Sequence, residues 1–421
     1  MERRELMSGV ALTAVPADKF KRCKISLTFT FPASRSTATA HALLPLVMER
    51  GYAGCPDMTR LSRRLATLYG AGMRVSGGTL GPNRVLTFGV SGIRNEYAVA
   101  GEDLVSEYLE LAFGMAFQPD APDGAFRADA VAVEKQKLKE LQESEINEKR
   151  LYCMRQARRK FFGDDVAGLE RYGYPDEVDA VTPSGLYQLW RETVETAQID
   201  LLVMGAPAEQ AEQRLRQQLA AFDRRPVPLC QPHPMPVQQP AYYTEPADTA
   251  QGKLCMLFTL AQPLPLEDLS KMRMAMAILG GKPTSRLFVN VREKQSLCYY
   301  CAAGYTQLGG VMSIDSGVEM ADAVRTQQAI LHEIDELVRH PVGEEELQDA
   351  CRYLTGALES IGDGLSDMEN WIMGELSRGT LYTPQQVAQQ LACVTSADVQ
   401  RMMGLFRLSV VYLLGKENAD E

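Results

Sequence analysis

Gly280-Gly281-Lys282-Pro283-Thr284-Ser285-Arg286-Leu287-Phe288-Val289-Asn290-Val291-Arg292-Glu293-Lys294-Gln295-Ser296-Leu297-Cys298-Tyr299-Tyr300 is the stretch on which the fold turns. The glycine pair stops a helix predicted over residues 268–279, because glycine reaches the backbone shapes that end one. A second helix is predicted over 285–294, and the run 297–305 reads as a strand. The first half of the chain contains the same join. Met58-Thr59-Arg60-Leu61 lines up with Thr284-Ser285-Arg286-Leu287, each after a glycine and a proline: Gly54 and Pro56, Gly281 and Pro283.

Working outward, the order of elements also repeats. The first half opens with a half-buried strand at 23–31, followed by helices at 37–50 and 57–70. Asp57 is a good N-cap for the second of these. Strands at 73–77 and 85–91 flank the turn Gly81-Pro82-Asn83. Helical stretches then cover 102–117 and 125–162, and a helix 184–196, strand 199–204 and helix 208–222 close the half. The second half reads strand 253–260, helices 268–279 and 285–294, strands 297–305 and 311–318, helices 321–339 and 343–361, and strand 406–414. The expected fold class is therefore α+β, with two homologous domains, each a mainly antiparallel sheet with helices on one face.

Seven of the 22 prolines fall between Pro226 and Pro246. Each removes a donor and restricts its predecessor, so 226–246 is expected to be an extended linker between domains at 1–225 and 247–421. The chain has 421 residues, 45% of them hydrophobic and 23% charged, which excludes fibrous and disordered classes. The net charge of −10 offers no field for nucleic acid. The basic run Arg150, Arg155, Arg158, Arg159, Lys160 is read as a solvated helix face. No apolar run approaches the roughly 18–20 residues of a membrane helix. The N-terminal stretch lacks the long apolar core of a leader, so a mature, cytoplasmic protein beginning with a strand is expected. Nine cysteines form no disulfide framework. Cys298-Tyr299-Tyr300-Cys301 lies in a strand, where redox CxxC pairs do not, and is read as core cysteines.

The Gly280–Tyr300 stretch resembles the C-terminal domain of insulinase/pitrilysin-family zinc peptidases. That family shows a glycine-rich turn, Ser-x-Leu-Phe, Arg-Glu-Lys, and a Tyr seven residues after the Arg. The resemblance implies a two-domain clamshell half of the mitochondrial-processing-peptidase kind. Active members carry HxxEH on the first helix, two His for Zn²⁺ and a Glu for the metal-bound water. Counted back from Gly51, those positions are Ala42-Leu43-Leu44-Pro45-Leu46, and a frame starting at His41 fails as well. No metal ligand is therefore expected in this chain. His332 is expected to be solvated, and Glu140 and Glu134 to be helix-surface charges.

Arg292 and Tyr299 match the family's Arg/Tyr pair, which stabilises the tetrahedral intermediate as preorganised donors. Read on residue types alone, they are a surface ion pair and a sheet residue. The resemblance implies a non-catalytic subunit of a two-chain zinc peptidase, with zinc in an HxxEH-bearing partner and no cofactor here. Arg292 and Tyr299 would act across the dimer, and Gly280, Gly281, Ser285 and Arg286 would contact an extended peptide. Leu68-Tyr69-Gly70-Ala71 is similar to a bacterial branch of that kind. The alternative is a structural or peptide-binding protein of the same fold that has left proteolysis.

Overall fold

The computed structural model describes residues 1–416. In chain order its first elements are β1 (Glu2–Met7), β2 (Val10–Val15), β3 (Arg22–Pro32), α1 (Ala38–Met48), α2 (Met58–Thr67), β4 (Gly72–Leu80), β5 (Asn83–Ile93), α3 (Leu104–Phe117), α4 (Ala128–Ser144) and α5 (Lys149–Phe162). They continue with α6 (Pro183–Thr196), β6 (Gln198–Met204), α7 (Ala208–Leu219), β7 (Ala241–Pro246), β8 (Gly252–Leu260), α8 (Leu269–Met276), β9 (Cys298–Thr306) and β10 (Val311–Val318). The last are α9 (Ala323–Arg339), α10 (Glu344–Ser360), α11 (Leu365–Ser377), α12 (Pro384–Ala392), α13 (Ser396–Met403) and β11 (Phe406–Gly415). The chain forms two compact units, Met1–Glu143 with Leu169–Gln231, and Ser144–Gly168 with Pro232–Glu421. Among the described residues, no helix is long and apolar enough to cross a membrane.

The first unit holds a six-stranded sheet in the order β1-β2-β6-β3-β5-β4. Only β2 and β6 run parallel; the other neighbours are antiparallel. Alternation along β3 sends Cys23, Ile25, Leu27, Phe29 and Phe31 into the core with Leu86, Phe88 and Val90 of β5. Helices α1, α3 and α6 close that face. Thr28 lies on the other face, sharing a hydrogen bond with Thr87 at 3.1 Å.

The second unit holds a five-stranded sheet in the order β7-β11-β8-β10-β9, again with one parallel pair, β7 and β11. Without β1, the first sheet has this same order and these same strand senses, so the repeat read from the sequence extends to topology. The helices entering β6 and β11 repeat too: Thr182 caps α6 and Thr395 caps α13, each side chain accepting from the backbone N–H three residues on.

Three findings depart from the sequence reading. The stretch expected as one helix over 125–162 is two, α4 and α5, joined by the turn Glu145–Asn147. Residues 144–168, assigned by sequence to the first half, pack in the second unit. The expected linker ends in a strand, β7, which adds to the edge of β11. The reason for the second departure lies in β8, which is apolar on both faces. Leu254, Met256 and Phe258 join the main core, whereas Cys255 and Leu257 face a second one built with Cys153, Ala157, Phe161 and Phe162 of α5. Arg150 fastens α5 to the buried Asp315 of β10 at 2.5 Å and stacks over Tyr300. Thus α5 covers a face that would otherwise meet water, and α9 through α13 with α8 serve the first face. Most of the basic run is committed within this unit: Arg155 pairs with Glu145, Arg158 lies over Phe162, and Lys160 faces the Tyr243 ring.

Truncating Phe162 to Ala should cost about 3–5 kcal/mol, the usual loss for emptying an aromatic site in a core. Urea titration followed by circular dichroism checks this, and an exposed control such as Leu151→Ala should change stability by less than about 1 kcal/mol.

Candidate functional site

Helix α1 presents Ala42, Leu43, Leu44 and Pro45 to the core of the first unit. These side chains carry no donor atom for a metal, so the positions do not fit zinc. His41 is spoken for. Its Nε2 lies 3.3 Å from Thr193 Oγ1 and its Nδ1 3.1 Å from Thr37 Oγ1. The Thr193 hydroxyl hydrogen goes to the Leu189 carbonyl at 2.7 Å, so the imidazole must donate from Nε2, and Thr37 donates to Nδ1. The ring also packs on Phe31, centroids 4.5 Å apart. Burial, then the charge of Arg84, push its pKa down to about 3.

Glu134, expected on a helix surface, is instead buried, 4% exposed, and held by Arg50 at 2.9 Å with Lys137 at 3.6 Å. Arg50 follows α1, so a guanidinium ties that helix to α4. Sequence reading missed this because the partner of Glu134 lies 84 residues away. Glu140 is exposed, accepting from Gln136 at 3.1 Å, and His332 is exposed. Among the described residues, no three His, Cys, Asp or Glu side chains gather to hold a metal.

In the second unit α8 widens into a π-type turn, Ala277–Gly281, and a second wide helical segment spans Leu287–Lys294. Gly280 is needed here because a Cβ would stand 2.5 Å from the Ala303 backbone nitrogen of β9. Gly281 is exposed, and Ser285 is buried with its backbone N–H on Lys282 O at 3.0 Å. Arg286 makes a two-pronged pair with Glu346, both contacts 2.9 Å, and Lys282 pairs with Asp349. Asn290 donates to the buried Glu333 at 2.8 Å. These bonds fix the segment to α9 and α10. The three acids were not legible as partners, since α9 and α10 read simply as charged helices.

Ser296 then takes φ of +54°, and Leu297 N–H returns to Val291 O at 3.2 Å. This left-handed cap reverses the chain and carries it from Arg292 into β9. Arg292 pairs with Glu293 at 3.2 Å and lies over the Phe288 ring at 4.4 Å, its side chain 37% exposed. Tyr299 is 54% exposed and donates to Glu319 at 2.7 Å. That bond to a carboxylate raises the phenol's pKa. Among the described residues, no hydrogen bond joins Arg292 to Tyr299. The strand that carries Tyr299 is an edge strand, paired with β10 alone, and a bulge falls at Tyr299 between the pairs Cys298–Val318 and Tyr300–Gly317.

A duplicated α+β fold, a helix with no metal ligands and a glycine turn leading through Arg292 to an exposed edge-strand tyrosine define the class: the chain is similar to peptidase M16 proteins of the inactive type. Residues 180–354 match the model described as "Peptidase M16 inactive domain". The Bacillus subtilis protein described as "Probable inactive metalloprotease YmfF" is 23% identical over 414 residues, 98% of this chain and 97% of that protein. A conserved protein of Enterococcus faecalis V583 has a crystal structure that superposes with a TM-score of 0.87 at 21% identity, covering 100% of this chain and 99% of that one. A peptidase M16 inactive domain from Pseudomonas fluorescens gives 0.78 at 18% identity, covering 100% and 98%.

The His41 geometry makes a pH prediction. The folded imidazole protonates near 3, the unfolded one near 6.5, so the unfolded state takes up the extra proton as pH falls. Stability contributed by the neutral ring is complete above about 6.5 and erodes below it, by at most about 1.4 kcal/mol per pH unit. Melting temperatures between pH 7 and pH 4 should therefore fall less steeply for His41→Gln than for the parent chain.

Proposed function

We propose that this chain is the non-catalytic subunit of a heterodimeric zinc metallopeptidase of the cytoplasm. It binds an extended peptide and supplies Arg292 and Tyr299 to the zinc site of an HxxEH-bearing partner. One observation carries this reading: Arg292 and Tyr299 stand at the head of a free sheet edge with solvent-reachable polar ends, while the metal positions of α1 are buried aliphatic residues. Two of the similar proteins, those of Bacillus subtilis and Pseudomonas fluorescens, are inactive by description, which supports the loss of independent chemistry.

An edge strand offers unpaired backbone N–H and C=O groups to an incoming strand, so β9 can take a peptide by β-addition. The partner's zinc, when bound, would supply the nucleophilic water. The residues of this chain would act on the other side of the scissile carbonyl. As it becomes tetrahedral its oxygen gains charge, and a guanidinium and a phenol O–H fixed beforehand stabilise that charge more than they stabilise the carbonyl. Glu293 and Glu319 hold the two donors until substrate exchanges for them. Gly281, which is exposed, would contact the peptide. Gly280, Ser285 and Arg286 would position the segment, since Arg286 has its full complement from Glu346.

Glu319 also supports a second reading. A tyrosine and an arginine each satisfied by a neighbouring acid are what a structural or peptide-binding relative would retain. Co-expression with the HxxEH protein of the same cell separates the two. Under the peptidase reading, the mixture cleaves unfolded peptides and neither chain does so alone. Arg292→Ala or Tyr299→Phe should then lower kcat about 10²- to 10³-fold while the chains still co-purify. Unchanged turnover in both variants would favour the structural reading, and cleavage with stoichiometric zinc by this chain alone would end the first.

A further inference from the structure

Alternation along a regular strand sends residues three apart to opposite faces, which would separate Cys298 from Cys301. The bulge cancels that. Cys298 pairs with Val318 and Tyr300 with Gly317, so Tyr299 is the extra residue, and both cysteines fall in the same core cluster with Val318. Ser316, the residue opposite Cys301, donates its hydroxyl to the Tyr300 carbonyl at 2.8 Å, between the two cysteines. The Cys301 side chain, then the Arg292 charge, hold the Cys298 thiol below its usual range, whereas Cys301 is raised. The other close cysteines differ: Cys153 and Cys255 are both pushed up, chiefly by burial.

We propose that Cys298 and Cys301 form a dithiol that closes reversibly into an intrachain disulfide on meeting a low-molecular-weight disulfide such as oxidised glutathione. In the first step the Cys298 thiolate attacks one sulfur of the oxidant, forming a mixed disulfide and releasing one small thiol. Cys301 then loses its proton and attacks the Cys298 sulfur, forming the protein S–S bond and releasing the second small thiol. The protein loses two hydrogens, and the oxidant is reduced to two thiols. Geometry assists at two points. The strand is paired on one side only, so it can give the backbone movement that bringing two sulfurs to bonding distance requires. Of the two cysteines, Cys298 is the less buried, 8% exposed against 5% for Cys301. The inference does not depend on the role proposed for Tyr299.

The test uses the full chain and oxidised glutathione, followed by alkylation and tryptic mapping. Residues 295–325 form one tryptic peptide with these two cysteines and no third. After oxidation the peptide should escape alkylation and be lighter by two hydrogens than its reduced, unalkylated form. Dithiothreitol before alkylation should restore two alkyl groups. The exposed Cys393 serves as control and should carry only the glutathione adduct or the alkyl group. In Cys301→Ser, Cys298 should keep its glutathione adduct. Full alkylation of the peptide after oxidation, or a lasting glutathione adduct on Cys298 of the unaltered chain, would overturn the proposal, and neither result requires the variant to fold.

Discussion

The sheet of the second unit is apolar on both faces, and that constraint organises the unit. A strand such as β8, with Leu254, Met256 and Phe258 on one side and Cys255 and Leu257 on the other, cannot leave either side wet. Helices from the same stretch of chain cover the first side. The second is covered by α5, taken from between two segments of the first unit, with Arg150 set on Asp315 to fix its angle. The first sheet differs in kind, since β3 carries Ser26, Thr28 and Thr30 opposite its apolar row, small polar side chains that are also buried.

The edge of the second sheet combines backbone freedom with chemistry. Gly280 lets the helical segment approach β9, Ser296 turns the chain back, and the bulge directs Tyr299 outward while both flanking cysteines turn in. Charged pairs from α9 and α10 hold the segment from behind. Such placement on a rigid support is what preorganised donors need, since a donor that must first be ordered loses much of its effect.

Much of the fold could be read from the sequence because period and punctuation agree there. Alternation in 23–31, the Asp57 cap and the repeated glycine-proline join are local signals, and each lies on the element expected. The assignment of α5 was not legible, since its apolar face looks the same whichever sheet it covers. At the site, Arg292 and Tyr299 could be found by spacing. Glu319, Glu346 and the Arg50–Glu134 pair could not, because ion pairs across tens of residues leave no local trace. The strand at 241–246 was hidden by Pro240 before it and Pro246 at its end, and it survives as an edge strand, where a missing donor can face outward.

The passage of the chain from one unit into the other and back also has a temporal side. A ribosome releases α5 some 250 residues before β11 is complete, about 13–50 s at ordinary rates of synthesis. Through that interval Phe161, Phe162 and Ala157 have no sheet to rest on, and the first unit can finish folding around a helix that must be left out of it. The basic groups spread along α5 keep that waiting segment soluble, so charges that later serve as internal partners first act as protection for an orphaned apolar stripe.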